Sequence, residues 1–175
     1  EVLCAAKGNF RIKGLRTTNP VAVGDHVEIR LGATPGEAFI TKVLPRVNYI
    51  IRRASNLSKE SHILAANIDQ ALLVVTLFHP ATSTTFIDRF LATAEADGVH
   101  AVIAINKTDL IQPDTDEYEY LEAFEYLYRS IGYEVVDISA RTGDGIEKLR
   151  SILSGKITLL SGNSGVGKTT LINRL

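Results

Sequence analysis

Residues Gly162, Asn163, Ser164, Gly165, Val166, Gly167, Lys168 and Thr169 follow the pattern G-x-x-x-x-G-K-[ST]. They come directly after an apolar run (157–160) and Ser161, and they lead through Thr170 into a helical pattern. That is the setting a phosphate-binding loop requires. Glycines let backbone N–H groups converge on phosphate oxygens with no Cβ in the way. A helix starting near Gly167 adds its positive N-terminal end. Lys168 reaches the β- and γ-phosphates, and the Thr169 hydroxyl ligates Mg²⁺, a hard cation that takes oxygen ligands. The alternative is a glycine-rich turn that binds nothing. Four specified residues at fixed spacing across eight positions, with two correct flanks, weigh against it.

A second constellation, Asn106-Lys107-Thr108-Asp109, follows an apolar run over 101–105. Ligands of open α/β sheets sit beyond the carboxyl ends of the strands. Alone, N-K-x-D is a weak signal, because turns at strand ends favour Asn and Asp. Beside a phosphate loop it gains a purpose. Guanine presents two adjacent N–H donors, at N1 and N2, and the Asp109 carboxylate can accept both. A buried acceptor left unpaired by adenine would reject that base. Asn106 can bond the other edge, and the Lys107 stem can cover the base face. A third segment, Ser139-Ala140-Arg141-Thr142-Gly143, ends the apolar run 135–138. Its small residues let the Ala140 N–H approach guanine O6. By itself it is an ordinary strand–helix loop; with the other two it completes a set.

These loops need a scaffold. Apolar runs at 72–77, 101–105, 135–138 and 157–160 have the look of strands buried on both faces. Between them, three sets share helical faces: Phe86, Phe90, Leu91 and Ala94; Leu121, Phe124, Tyr128 and Ile131; Ile146, Leu149, Ile152 and Leu153. Strand–helix alternation predicts a parallel sheet covered by helices. Likeness to GTPase sheets, in which a switch-region strand absent here flanks the phosphate-loop strand, implies the order 157–160, 72–77, 101–105, 135–138 with the phosphate-loop strand at an edge. Residues 1–51 read differently, as short strands near 2–6, 9–13, 26–31, 38–44 and 47–51. Gly8-Asn9, Gly24-Asp25 and Pro35-Gly36 punctuate them. This spacing suggests a small barrel or sandwich. The polar stretch 52–66 reads as a linker or lid, leaving 67–175 as the α/β domain.

The order of the motifs is unusual. In most GTPases the phosphate loop comes first; here it follows both base motifs. Joining the usual last helix to the usual first strand, and opening the chain elsewhere, keeps the packing. The connection Ser154-Gly155-Lys156 has a suitable length. A circularly permuted GTPase behind a small β module resembles the ribosome small-subunit-dependent GTPase A family. The resemblance is carried by Pro20-Val21-Ala22-Val23-Gly24-Asp25-His26-Val27, Ile40-Thr41-Lys42-Val43-Leu44-Pro45-Arg46, Ala66-Asn67-Ile68-Asp69-Gln70, Asn106-Lys107-Thr108-Asp109 and residues 162–170. It implies an N-terminal OB-fold that binds RNA, here incomplete, followed by an incomplete P-loop GTPase domain with a parallel sheet. It further implies GTP and GDP as ligands, Mg²⁺, and slow GTP hydrolysis stimulated by the small (30S) ribosomal subunit during its late maturation. The alternative is an RNA-binding assembly factor that senses GTP with little hydrolysis. The family's switch regions and C-terminal zinc module would lie after Leu175. No catalytic base and no zinc ligand are therefore assigned in this chain. As it stands it is expected to bind nucleotide weakly at most and to turn over no appreciable GTP.

Composition sets outer bounds. With 45% apolar and 22% charged residues the chain is neither disordered nor low-complexity. The longest apolar run, 71–78, is interrupted by Thr76 and falls far short of the roughly 20 residues of a membrane span. A single cysteine, Cys4, forms no internal disulfide, and no Cys/His cluster has zinc spacing. His26, His62, His79 and His100 show no ligand or triad spacing. The expectation is a cytoplasmic monomer with no membrane partner. Residue 1 is Glu and there is no Met, which suggests that the natural start is missing. The net charge of −1 hides an asymmetry: ten Lys/Arg against five Asp/Glu over 1–60, nine against fifteen over 61–175. The basic part, with Lys7, Arg11, Lys13 and Arg16, suits rRNA phosphates. Binding of the β module to small-subunit rRNA should then fall steeply with salt in a filter or calorimetric titration, as counterion release requires. A salt-independent affinity would refute an electrostatic footprint.

Overall fold

The computed structural model describes residues 2–6, 21–34, 37–53 and 61–175. These belong to two compact units, Glu1–Ile68 and Asp69–Leu175. The strand expected over 9–13, the turns Gly8-Asn9 and Pro35-Gly36, and Lys7, Arg11, Lys13 and Arg16 lie outside the described residues.

In the first unit β1 (Ala5–Ala6), β2 (Val27–Leu31) and β3 (Ala38–Val43) form a sheet in the order β1-β3-β2. β2 and β3 run antiparallel, with Val27 opposite Val43 and Leu31 opposite Ala38. A second antiparallel pair joins β4 (Tyr49–Arg53) to β5 (Ser61–Ala66). These small sheets fit the OB-like module. β5 corrects the reading of 52–66 as a linker. The polar run before it conceals a strand whose end, Ala65 and Ala66, is buried and whose backbone groups are paired by β4. Gly24, at φ +87°, lets the chain pass so close to β5 that a Cβ would lie 2.0 Å from the Ala66 carbonyl oxygen. Asp25 fixes this turn. It accepts Arg46 Nε at 2.6 Å, Arg46 Nη2 at 2.7 Å and the Ala22 N–H at 2.8 Å.

The second unit opens with β6 (Gln70–Val75), buried along its whole length. Then come α1 (Thr84–Ala96), β7 (His100–Asn106), a 3-10 turn (Thr108–Leu110), α2 (Asp116–Ser130), β8 (Glu134–Ile138), α3 (Ile146–Leu153), β9 (Thr158–Ser161) and α4 (Lys168–Arg174). The strands form one parallel sheet in the order β8-β7-β6-β9, as the likeness to GTPase sheets implies. Leu72, Val74, Val102, Ala104, Val136 and Ile138 share a core with Ile146, Leu149, Val166 and Leu171. The alternating positions Leu73, Val75, Ile103 and Ile105 are equally buried and face the other way. Ser83 caps α1 by accepting the Phe86 N–H, and Thr115 caps α2 by accepting that of Tyr118. The buried face of α1 is Ile87, Leu91 and Ala94, with Phe86 and Phe90 half-buried beside it. Ile131, expected on the buried face of α2, falls at its C-cap and is exposed. The backbone has left the helix there, so the 3.6-residue period no longer applies. No helix among the described residues is long and apolar enough to cross a membrane.

The segment Asn67-Ile68-Asp69-Gln70 anchors both units separately. Asn67 accepts the Val47 N–H and donates to the Gly24 carbonyl in the first. In the second, Asp69 accepts the Ile157 N–H at 2.7 Å, while buried Gln70 donates to Ile152 O and Thr158 Oγ1 and accepts from Lys156. Gln70 thus ties β6 to the α3–β9 connection at which the permuted chain is joined.

The Asp25–Arg46 pair gives a testable consequence for the first unit. Its side chains are only 1% and 8% exposed. Breaking a buried pair leaves one charge uncompensated, so Arg46→Ala should destabilise by about 3–5 kcal/mol in urea unfolding. Burial opposes the Asp25 charge, but the Arg46 and Ala22 hydrogen bonds outweigh it and hold the carboxyl below its ordinary range. A lowered folded pKa stabilises at pH values above the unfolded value of about 3.9. That stability is lost as pH falls through the folded pKa. The wild-type advantage over Asp25→Asn should therefore be complete near neutrality and shrink below about pH 4.

Candidate functional site

Three loops leave the carboxyl ends of strands of the one parallel sheet: Asn106 closes β7, Ser139 follows β8 and Gly162 follows β9, which β6 separates from β7. Because the strands are parallel, all three lie at the same end of the sheet. The phosphate loop begins against β6, where a Cβ on Gly162 would lie 2.3 Å from the Val74 carbonyl oxygen. It closes around its own lysine: Lys168 Nζ donates to Gly162 O at 2.9 Å and Asn163 O at 2.7 Å. Val166 is buried, pinning the middle of the loop. Ser164 and Gly165 are exposed, as are Thr169 and Thr170 in the first turn of α4.

Asn106 joins all three loops. Its Oδ1 accepts the Ala140 N–H at 2.9 Å and its Nδ2 donates to Val166 O at 2.8 Å. The side chain is 4% exposed. This differs from the expectation that Asn106 meets the far edge of a base while the Ala140 N–H faces O6, since here the two groups bond each other. Gly167 makes the bridge possible. At φ +96°, a Cβ there would lie 2.4 Å from Asn106 Nδ2.

Lys107 adopts the left-handed conformation and donates to His79 O at 2.7 Å and Gly165 O at 2.8 Å. Its stem therefore spans from the end of β7 to the phosphate loop. Thr108 Oγ1 donates to Ile138 O at 3.0 Å, tying the base motif to β8. Asp109 Oδ1 accepts the Ser139 hydroxyl at 2.7 Å, and Oδ2 accepts Arg141 Nε at 3.1 Å and Nη2 at 2.6 Å. The Ser139 bond is the larger stabilising influence. Against the opposing effect of burial, and with the help of Arg141, it holds the Asp109 carboxyl below its ordinary range. The group is an ionised acceptor at neutral pH.

Ser139, Asp109, Ala140 and Asn106 are thus brought together, and Lys107 reaches the phosphate loop. Several contributors were not anticipated. The β6–α1 loop supplies the His79 carbonyl, and Pro80 sits where a Cβ on Gly165 would touch it at 3.4 Å. Arg174, on α4, donates to Ala140 O at 3.3 Å and Arg141 O at 2.6 Å. Arg141 could have been found from its place directly after Ala140. No sequence signal marks Pro80 or Arg174. Among the described residues there is no group of three or more His, Cys, Asp or Glu that could hold a metal ion.

Removing the Asn106 amide leaves two buried main-chain groups unpaired. Asn106→Ala should cost about 1–3 kcal/mol for each group in urea unfolding. Asn106→Asp retains an acceptor for Ala140 but buries a charge against the Val166 carbonyl oxygen, and should be at least as destabilised as Ala at neutral pH. An Ala variant as stable as wild type would show that the amide bridge is dispensable.

Known proteins resemble this chain closely. Residues 43–175 match the family model described as RsgA GTPase. The chain is 59% identical over 174 residues to the small ribosomal subunit biogenesis GTPase RsgA of Bacteroides fragilis, covering 99% of this chain and 55% of that protein. It is 56% identical over 177 residues to the protein of the same name from Porphyromonas gingivalis, with 100% and 55% coverage. The crystal structure of YjeQ from Thermotoga maritima superposes with a TM-score of 0.73 at 39% identity, covering 99% of this chain and 56% of that one. YloQ, described as a circularly permuted GTPase, gives 0.68 at 32% identity, with 98% and 54% coverage. The chain spans about half the length of the curated relatives it matches.

Proposed function

The chain belongs to the RsgA GTPase family, and from that premise we propose that it binds guanine nucleotide across these three loops, as part of a cytoplasmic GTPase that assists maturation of the small ribosomal subunit and contacts its rRNA. The observation that carries this reading is the Asp109 carboxylate. It is ionised and fixed through one oxygen by buried Ser139, whose neighbour Ala140 is tied through Asn106 to the phosphate loop. Guanine satisfies such an acceptor through N1–H and N2–H; adenine presents no matching pair. The Lys107 stem borders the base, and the glycine-rich loop with Lys168 receives the phosphates. Both lysines spend their bonds on carbonyl oxygens and so keep their charge available to an anion.

Mg²⁺ fits the exposed Thr169 hydroxyl at the first turn of α4, an oxygen ligand beside Lys168. When bound there, the ion would supply charge neutralisation at the phosphate oxygens. The residues of this chain orient and select the nucleotide; none is assigned as a general base.

In a calorimetric titration, GDP should bind more tightly than ADP. Asp109→Ala should weaken GDP by about 1–3 kcal/mol, the cost of leaving buried donors unsatisfied. Equal affinity for GDP and ADP would overturn the guanine reading.

A further inference from the structure

The two oxygens of Asp109 have partners of different kinds. Oδ1 accepts from Ser139, which is fully buried and whose own oxygen accepts the Thr142 N–H at 3.0 Å. That bond belongs to the framework. Oδ2 accepts two N–H groups of a single guanidinium, Arg141 Nε and Nη2. The Arg141 side chain is 74% exposed, against 9% for Asp109. Water can take over most of what the guanidinium would lose on leaving, and the side chain can rotate away about its own bonds.

The main chain beneath it cannot follow. Arg174 Nη2 donates to Arg141 O at 2.6 Å, and the preceding residue, Ala140, donates its N–H to Asn106 Oδ1. Arg141 is therefore an exposed fork on a fixed post. Paired N–H donors are also what the edge of guanine offers. Fork and base compete for the same carboxylate.

We propose that Arg141 is an intramolecular competitor at the base-selecting carboxylate, displaced from Asp109 Oδ2 when guanine seats. The inference rests on the guanine reading of Asp109. Its effect is confined to bases that use the carboxylate. Guanine must break the Arg141 pair and binds less tightly than the site would otherwise allow. Adenine gains nothing from Asp109 and leaves the pair intact. Arg141 thus lowers guanine affinity without lowering adenine affinity, and favours exchange of a nucleotide that Ser139, Asn106 and the phosphate loop would otherwise hold more firmly.

The ratio of GDP to ADP affinity separates this from a general charge effect, because loss of a positive charge near the phosphates weakens both nucleotides alike. The test measures that ratio calorimetrically with the full chain as wild type, Arg141→Ala and Arg141→Lys. Exposed ion pairs of this kind are worth little, so Arg141→Ala should raise the GDP-to-ADP ratio by about two- to five-fold. Arg141→Lys keeps the charge but not the planar fork and should lie between wild type and Ala. A ratio in Arg141→Ala equal to or below that of wild type overturns the proposal while leaving the guanine reading intact. A wild-type chain that binds GDP and ADP equally overturns both.

Discussion

The arrangement of the site depends on a single buried amide. Asn106 offers one acceptor and one donor, and both are spent on main-chain groups of other loops, the Ala140 N–H and the Val166 carbonyl. Three segments far apart in the chain are thereby held at fixed separations with no ionic interaction. Because the partners are backbone, the bridge needs no particular side chain on either. It needs space, which Gly167 provides by having no Cβ. A carboxylate cannot donate to Val166 and an apolar residue can do neither, so the amide is the group that fits.

The hydrogen bonds of the site's two lysines go to uncharged partners. Lys107 and Lys168 both point their ammonium groups at carbonyl oxygens. Carbonyl dipoles stabilise a cation locally but leave its formal charge in place. The region around the phosphate loop therefore stays attractive to anions. The acidic counterpart, Asp109, lies on the loop after β7 and is occupied by Ser139 and Arg141. Cationic and anionic recognition are kept apart by Asn106, which is neutral.

The same economy governs the join between the two units. Asn67 and Asp69–Gln70 each pair with main-chain or side-chain groups of their own unit. In a permuted chain, β6 opens the domain and β9 lies beside it near the end. Gln70 and Asp69 lock that neighbour in register through residues 152–158, so the strand carrying the phosphate loop is set by polar bonds as well as by its parallel pairing.

The sequence alone located the buried strands of the second unit's parallel sheet and the glycine-rich turn at Gly162–Gly167. Each of these is encoded locally: aliphatic runs must be buried on two faces, and glycines at fixed spacing must make a particular turn. It also marked Asn67–Gln70 as distinctive without supplying a chemical reason. Strand β5 stayed hidden because its pairing partner β4 lies in another segment, and a short apolar run beside polar residues has no periodicity strong enough to declare itself. Tertiary structure alone decided the roles of single polar groups. Whether Asn106 faces a base or a backbone, and whether Arg141 rests on Asp109 or in water, depends on distances of about 3 Å between residues some thirty or more positions apart. Hydrogen bonding is directional and short-ranged, so no one-dimensional pattern carries that information; burial is set by composition over a whole segment, and there the pattern suffices.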